Sequence, residues 1–144
     1  MKSVIAKVAV LVAAGLVVLS AAMPEPVMRM NIPFTFLAGG QMHRAGLYWV
    51  RVNSAPRFVE LRPLKSAIVE RLAVNGTCIS RNGPERTDPM KGFLRFERYG
   101  STYALRAAGA PGIEDGLGLK PSEVEKELAE ANNGAAGSEV SVIQ

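Results

Sequence analysis

The side chains that could carry chemistry are few and scattered. His43 is the only histidine of the 144 residues and Cys78 the only cysteine. A serine–histidine–acid set would have to use His43, in the stretch Gly40-Gln41-Met42-His43-Arg44. Ser66, Ser80 and Ser101 all lack the Gly-x-Ser-x-Gly setting that lifts a nucleophile out of a strand. A thiol mechanism requires Cys78 and His43 to meet in the fold. Unless they meet, His43 reads as an ordinary loop residue and Cys78, in a strand-like run, as a small buried hydrophobe. Zinc takes three or four His, Cys or carboxylate ligands at recognisable spacing, and one His and one Cys 35 residues apart do not supply them. Glu114-Asp115-Gly116 falls short of a calcium loop. Gly112, Gly116, Gly118 and Lys120 mimic a phosphate loop, but Pro121 stands where its hydroxyl residue belongs. Asn75-Gly76-Thr77 fits a glycosylation acceptor and fits a hairpin turn better. No metal and no cofactor is expected.

What remains is basic and aromatic. Arg95, Arg98 and Arg106 with Tyr99 and Tyr103 form the densest such patch. Arginines interleaved with rings on a sheet can bind single-stranded nucleic acid or sugars. Arg95, Arg98, Tyr99 and Arg106 are therefore the candidate ligand-binding residues. The competing reading is structural, with Tyr103 in the core and Arg98 lying over its ring as a cation–π pair.

The elements that would position these groups read as strands. Residues 31–37 (NIPFTFL) alternate, with Ile32, Phe34 and Phe36 on one face, and Pro33 demands an edge or a bulge. Residues 47–52 (LYWVRV) put Tyr48, Val50 and Val52 on one face and Trp49 and Arg51 on the other. After the turn Asn53-Ser54-Ala55-Pro56, a short strand at residues 58–62 buries Val59 and Leu61. Asn75-Gly76 suits a type I′ hairpin, setting Val74 against Thr77, Leu72 against Ile79 and Glu70 against Arg81. Gly100-Ser101 suits a type II′ turn, setting Tyr99 against Thr102, Arg98 against Tyr103, Phe96 against Leu105 and Leu94 against Ala107. That register brings Arg95 opposite Arg106, an unfavourable pair that Glu97 borders.

Two polar stretches, 82–92 and 108–118, read as loops. A helix follows, with Ser122 and Glu125 as a capping box and Val124, Leu128 and Ala131 on one face. Asn132-Asn133-Gly134 stops it. Residues 132–144 read as a flexible tail, with an edge strand at 140–143 as the alternative.

Charge and hydropathy bound the class. Residues 23–110 carry 13 Lys and Arg against 6 Asp and Glu, while residues 111–144 carry 2 against 7. A basic body can meet anionic lipids, glycans or nucleic acid, and an acidic tail can neutralise part of it. One cysteine cannot close an intramolecular disulfide. At the start, Lys2 and Lys7 precede an apolar run at residues 8–19 (VAVLVAAGLVVL) and the small residues Ser20-Ala21-Ala22. A basic start, a short apolar segment and a small-x-small site make a secretory signal peptide. The alternative is an uncleaved inner-membrane anchor over residues 4–23. Cleavage leaves 122 residues, enough for one domain.

The pattern Asn31-Ile32-Pro33-Phe34-x-Phe36, then Gly39-Gly40, then Ala45-Gly46-x-Tyr48-x-Val50, resembles the opening of a group of small exported bacterial β-rich proteins of unassigned function. The hairpin Phe96-Glu97-Arg98-Tyr99-Gly100 and the acidic helix carry the resemblance further, over most of residues 31–131. It implies an exported β domain and transfers no catalytic residue.

The expected fold is mainly β: a small antiparallel sandwich or partly open barrel, with an N-terminal signal helix and one short C-terminal helix. Residues 1–22 are the signal peptide, 28–131 the β-rich domain and its helix, and 132–144 the tail. The expected function is an exported, periplasmic or extracellular, non-enzymatic binding or structural module. Its expected partner is an anionic envelope component or another exported protein. The alternatives are a small hydrolase using His43 with Cys78 or a serine, and a membrane-tethered subunit.

Overall fold

The computed structural model describes residues 27–80, 88–113, 115–134 and 137–144, apart from the side chains of 76–80. The expected signal segment and anchor, and most of the stretch 82–92, lie outside the described residues.

The chain is mainly β, in two sheets that share one core. The first sheet is antiparallel and holds β1 (Val27–Ile32), β4 (Gly46–Ser54), β5 (Arg57–Pro63) and β6 (Glu70–Leu72), in that spatial order. The second contains β11 (Glu139–Ile143), β8 (Phe93–Tyr99), β9 (Thr102–Gly109), β10 (Asp115–Leu119) and β7 (Val74–Ser80) in order. Two short strands join it: β2 (Phe36–Ala38) pairs in parallel with β9, and β3 (Gln41–His43) pairs with β2. The second sheet is thus mixed, not purely antiparallel, and the architecture is not a closed barrel.

Period-2 patterning explains the layers. Met28, Met30 and Ile32 of β1, Tyr48, Val50 and Val52 of β4, and Val59 and Leu61 of β5 all point into the core. From the second sheet come Leu94, Phe96, Leu105, Ala108, Leu117 and Leu119. Phe96 meets Phe34 edge-on at 5.0 Å and Phe36 at 5.4 Å, and Phe34 stacks on Tyr103 at 4.2 Å.

Several expectations need correction. The run 31–37 is not one strand. The chain breaks at Pro33, which cannot donate to a ladder, and crosses from β1 in the first sheet to β2 in the second. Asn75-Gly76 makes no hairpin, because β7 runs straight through it and pairs with β10. Val74 to Cys78 spans the same ladder as Leu119 to Leu117, so the Asn-Gly region absorbs the extra residues as a bulge. The stretch 108–118 is not a loop, since it contains the end of β9 and all but the last residue of β10. Its glycines serve close approach instead: a Cβ on Gly109 or Gly116 would strike the buried Phe93 ring.

The Gly100-Ser101 hairpin forms in the expected register as far as Phe96↔Leu105. Gly100 has φ +60°, as a type II′ turn requires. Beyond Phe96 the register shifts by a bulge, so Leu94 faces Ala108 and Arg95 faces Ala107. The shift removes the like-charge pair of Arg95 and Arg106 and frees Arg106 to reach acids elsewhere.

The helix α1 (Glu123–Ala131) starts at Ser122 with both bonds of the capping box in place. Its inward face keeps Leu128 of the expected stripe but not Val124 or Ala131. Val124 is 42% exposed and Ala131 is exposed, whereas Glu125 is buried and Leu128 and Ala129 pack on Leu37, Tyr99 and Ala104 of the second sheet. Residues 139–143 form β11, the edge-strand alternative, with Val140 opposite Phe96 and Val142 opposite Leu94. No helix among the described residues is long and apolar enough to cross a membrane.

Candidate ligand-binding face

Three of the four candidates, Arg95, Tyr99 and Arg106, lie on the outer face of the second sheet, while Arg98 alternates with Tyr99 and sits at the hairpin end opposite Tyr103; all four are held by their own neighbours. Arg106 Nε lies 3.1 Å from Glu97 Oε2, and its Nη1 lies 3.4 Å from Oε1 of the buried Glu125. The other oxygen of Glu125 accepts the Ser122 backbone N–H at 2.8 Å, so this carboxylate both caps the helix and pins it to Arg106. Arg95 is buried, with Nε 3.4 Å from Glu139 Oε1 and its guanidinium 5.0 Å from the centre of the Phe93 ring. Arg98 donates Nε–H to the Gly100 carbonyl at 2.7 Å and lies 5.9 Å over the Tyr103 ring. Tyr99 is buried and donates its hydroxyl to Glu97 at 2.8 Å. Burial first, then that hydrogen bond and the charge of Glu97, push its pKa up to about 12.

His43 has half of a catalytic set. Its Nε2 lies 2.9 Å from Glu70 Oε2, off the hydrogen-bond direction, and its ring stacks on Phe36 at 5.1 Å and meets Tyr48 edge-on. The Tyr48 hydroxyl donates to the Arg44 carbonyl at 2.6 Å, and no serine, threonine or cysteine is among those described partners. The pair links β3 of the second sheet to β6 of the first. The Cys78 backbone sits in β7 opposite Leu117, and its side chain is outside the described residues.

The outer face of the first sheet is differently made, and sequence reasoning passed over it. Outward positions of β1, β4, β5 and β6 fall into cross-strand rows. One row runs Arg29, Trp49, Arg62, so the indole has an arginine directly across on each side. Opposed Cα atoms in such ladders are about 4.5–5.5 Å apart, so the guanidinium groups can reach around the ring. The next row runs Val27, Arg51, Glu60, Arg71. Here Glu60 takes Arg71 at 2.7 Å and Arg51 at 3.5 Å, and Arg71 lies 4.5 Å over the Phe58 ring. Arg29 and Arg62 have no ion pair or hydrogen bond among the described residues, and Trp49 has no ring partner. Val27, Trp49, Arg51, Glu60, Arg62 and Val69 line a depression of about 380 Å³.

The signal was partly present in the chain, since alternation already turns Trp49 and Arg51 outward. What local pattern could not supply is the strand order that sets Arg29 and Arg62 beside Trp49. The chain matches no protein-family model, and comparison with curated proteins and with solved structures finds nothing similar.

Proposed function

We propose that the chain is an exported, non-enzymatic binding module of the bacterial envelope, and that the outer face of the first sheet receives an anionic envelope component. The observation that carries the reading is the row Arg29–Trp49–Arg62, where two guanidinium groups with no ion pair or hydrogen bond among the described residues flank an indole with no ring partner among them. Guanidinium forks match carboxylate and phosphate geometry, and an indole face offers a stacking surface that costs little to order. Four arginines against one glutamate leave this face net cationic. Export rests on Lys2, Lys7, the apolar run 8–19, Ser20-Ala21-Ala22 and the resemblance to exported β-rich proteins. N-terminal sequencing of the protein from cells should begin near Met23, and a start at Met1 in a membrane fraction would favour the tethered alternative.

Trp49 is the only tryptophan, so its fluorescence reads the face directly. Titration with a soluble polyanion such as polygalacturonate should shift the emission, with an affinity that falls steeply as salt rises. Arg29→Glu with Arg62→Glu should abolish the shift. A wild-type protein unresponsive to polygalacturonate and to anionic vesicles alike refutes the reading.

A further inference from the structure

We infer that the anionic component is a lipid surface, and that residues 64–69, between β5 and β6, form a wedge that enters it. The inference rests on the proposed role of the first sheet's outer face. Those residues, Leu64-Lys65-Ser66-Ala67-Ile68-Val69, hold three large apolar side chains in water. Ile68 is 76% exposed, Val69 51% and Leu64 38%. Scattered apolar exposure is ordinary, but three such side chains within six residues mark an interaction surface.

The loop is built, not slack. Leu64 N–H donates to the Leu47 carbonyl at 2.9 Å, Ser66 N–H to the Pro63 carbonyl at 3.0 Å, and Ile68 N–H to Ser66 Oγ at 3.1 Å. It also joins the basic face. Val69 shares the depression of Trp49 and Arg62, and Leu64 and Lys65 share a neighbouring depression of about 420 Å³ with Arg44. The side chains of Arg29, Arg44, Arg62 and Lys65 have no ion pair or hydrogen bond among the described residues.

Aliphatic side chains at a tip, an indole behind them and a collar of unmatched cations are the composition that a bilayer interface selects. The tip enters the acyl boundary, the indole sits at headgroup depth and the cations meet lipid phosphates. An acidic glycan would use the arginines and the indole but has no use for Ile68. Single-stranded nucleic acid stacks successive bases on several rings, whereas on this face Arg71 already covers Phe58, which leaves Trp49 as the one uncovered ring among the described residues.

The test uses the full chain and vesicles of phosphatidylglycerol in phosphatidylcholine with brominated acyl chains. Bromine quenches only an indole that approaches the bilayer, so the readout is local to the face, and quenching brought about by anchoring at the N-terminus alone would not require anionic lipid or Ile68. Quenching of Trp49 is expected on these vesicles and not on brominated phosphatidylcholine alone. Arg62→Ala should lower the affinity about fivefold, since each cation at an anionic surface contributes on that scale. Ile68→Asp, at a site too exposed to endanger the fold, should remove the quenching and leave the polygalacturonate response intact. A protein that responds to polygalacturonate or to an oligonucleotide but not to vesicles keeps the binding face and overturns the lipid inference. Equal quenching on uncharged vesicles, or an unaffected Ile68→Asp, also overturns it. Silence toward every polyanion and vesicle overturns the binding face itself.

Discussion

The two outer sheet faces use the same outward residue types, arginines beside rings, and end in opposite states. On the second sheet each of the three arginines has a described partner: Glu139 for Arg95, Glu97 and Glu125 for Arg106, and a carbonyl and a ring for Arg98. On the outer face of the first sheet the one glutamate, Glu60, is shared by Arg51 and Arg71, and Arg29 and Arg62 have no ion pair or hydrogen bond among the described residues. The difference comes from the last part of the chain. Residues 111–144 bring seven acids against two bases, and α1 and β11 deliver two of them, Glu125 and Glu139, to the second sheet. The acidic tail neutralises one face of the basic body and leaves the other charged. A patch dense in arginine is therefore poor grounds for a site until its partners are known.

The largest expected effect tests what the faces share. Phe96 is fully buried between the sheets and touches Phe34 and Phe36. Phe96→Ala should cost about 3–5 kcal/mol, as buried aromatic truncations do, and both layers should melt in one transition by calorimetry. Thr102→Ala, at the hairpin end, should cost little. Separate transitions would mean that the two faces belong to independent folding units.

Next comes the helix. Leu128→Asp should remove about 3 kcal/mol of docking, from lost burial and a carboxylate set against an apolar patch. Amide exchange across residues 123–131 should then become fast, because nine residues are marginal as an isolated helix. Released Glu125 would leave Arg106 with Glu97 alone, and the second face should begin to bind polygalacturonate weakly. If undocking leaves that face inert, its neutrality does not depend on the helix.

Tyr99 gives the second face a signature in alkali. Its pKa is raised to about 12 from an unfolded value near 10, so folding favours the neutral phenol. That stability is complete below pH 10 and lost as pH rises from 10 towards 12, at most about 2.7 kcal/mol for two units. Urea midpoints across this window should fall for the wild type and fall less for Tyr99→Phe.

What was legible follows from range. The hairpin at Gly100-Ser101, the capping box and the inward faces of β4 and β5 are set by residues within a few positions of one another, and all are found. Failures share a cause: a distant partner outbid the local signal. Asn75-Gly76 is a good turn, yet β10 offered β7 a ladder, and β10 was itself hidden because Gly116 and Gly118 look like loop. Val124 matches the helical stripe better than Glu125, but Arg106 waits beneath the helix for a carboxylate. Arg29 falls before the expected start of its strand, so its place across from Trp49 needed the sheet order.

The smallest expected effect separates the faces most sharply. Arg95 is buried, lies over Phe93 and holds Glu139 of the edge strand, so Arg95→Ala removes packing as well as charge. It should cost roughly 1–2 kcal/mol, within the ordinary range for a residue with structural contacts. Arg29 and Arg62 are exposed and have no ion pair or hydrogen bond among the described residues. Arg29→Ala and Arg62→Ala should each change stability by less than about 0.5 kcal/mol. Urea unfolding of the three variants under one set of conditions makes the measurement. Residues whose loss costs the fold nothing but costs Trp49 its response to polyanions are held for binding. If Arg29→Ala and Arg62→Ala destabilise as much as Arg95→Ala, the first face is structural, and the contrast between the two faces disappears.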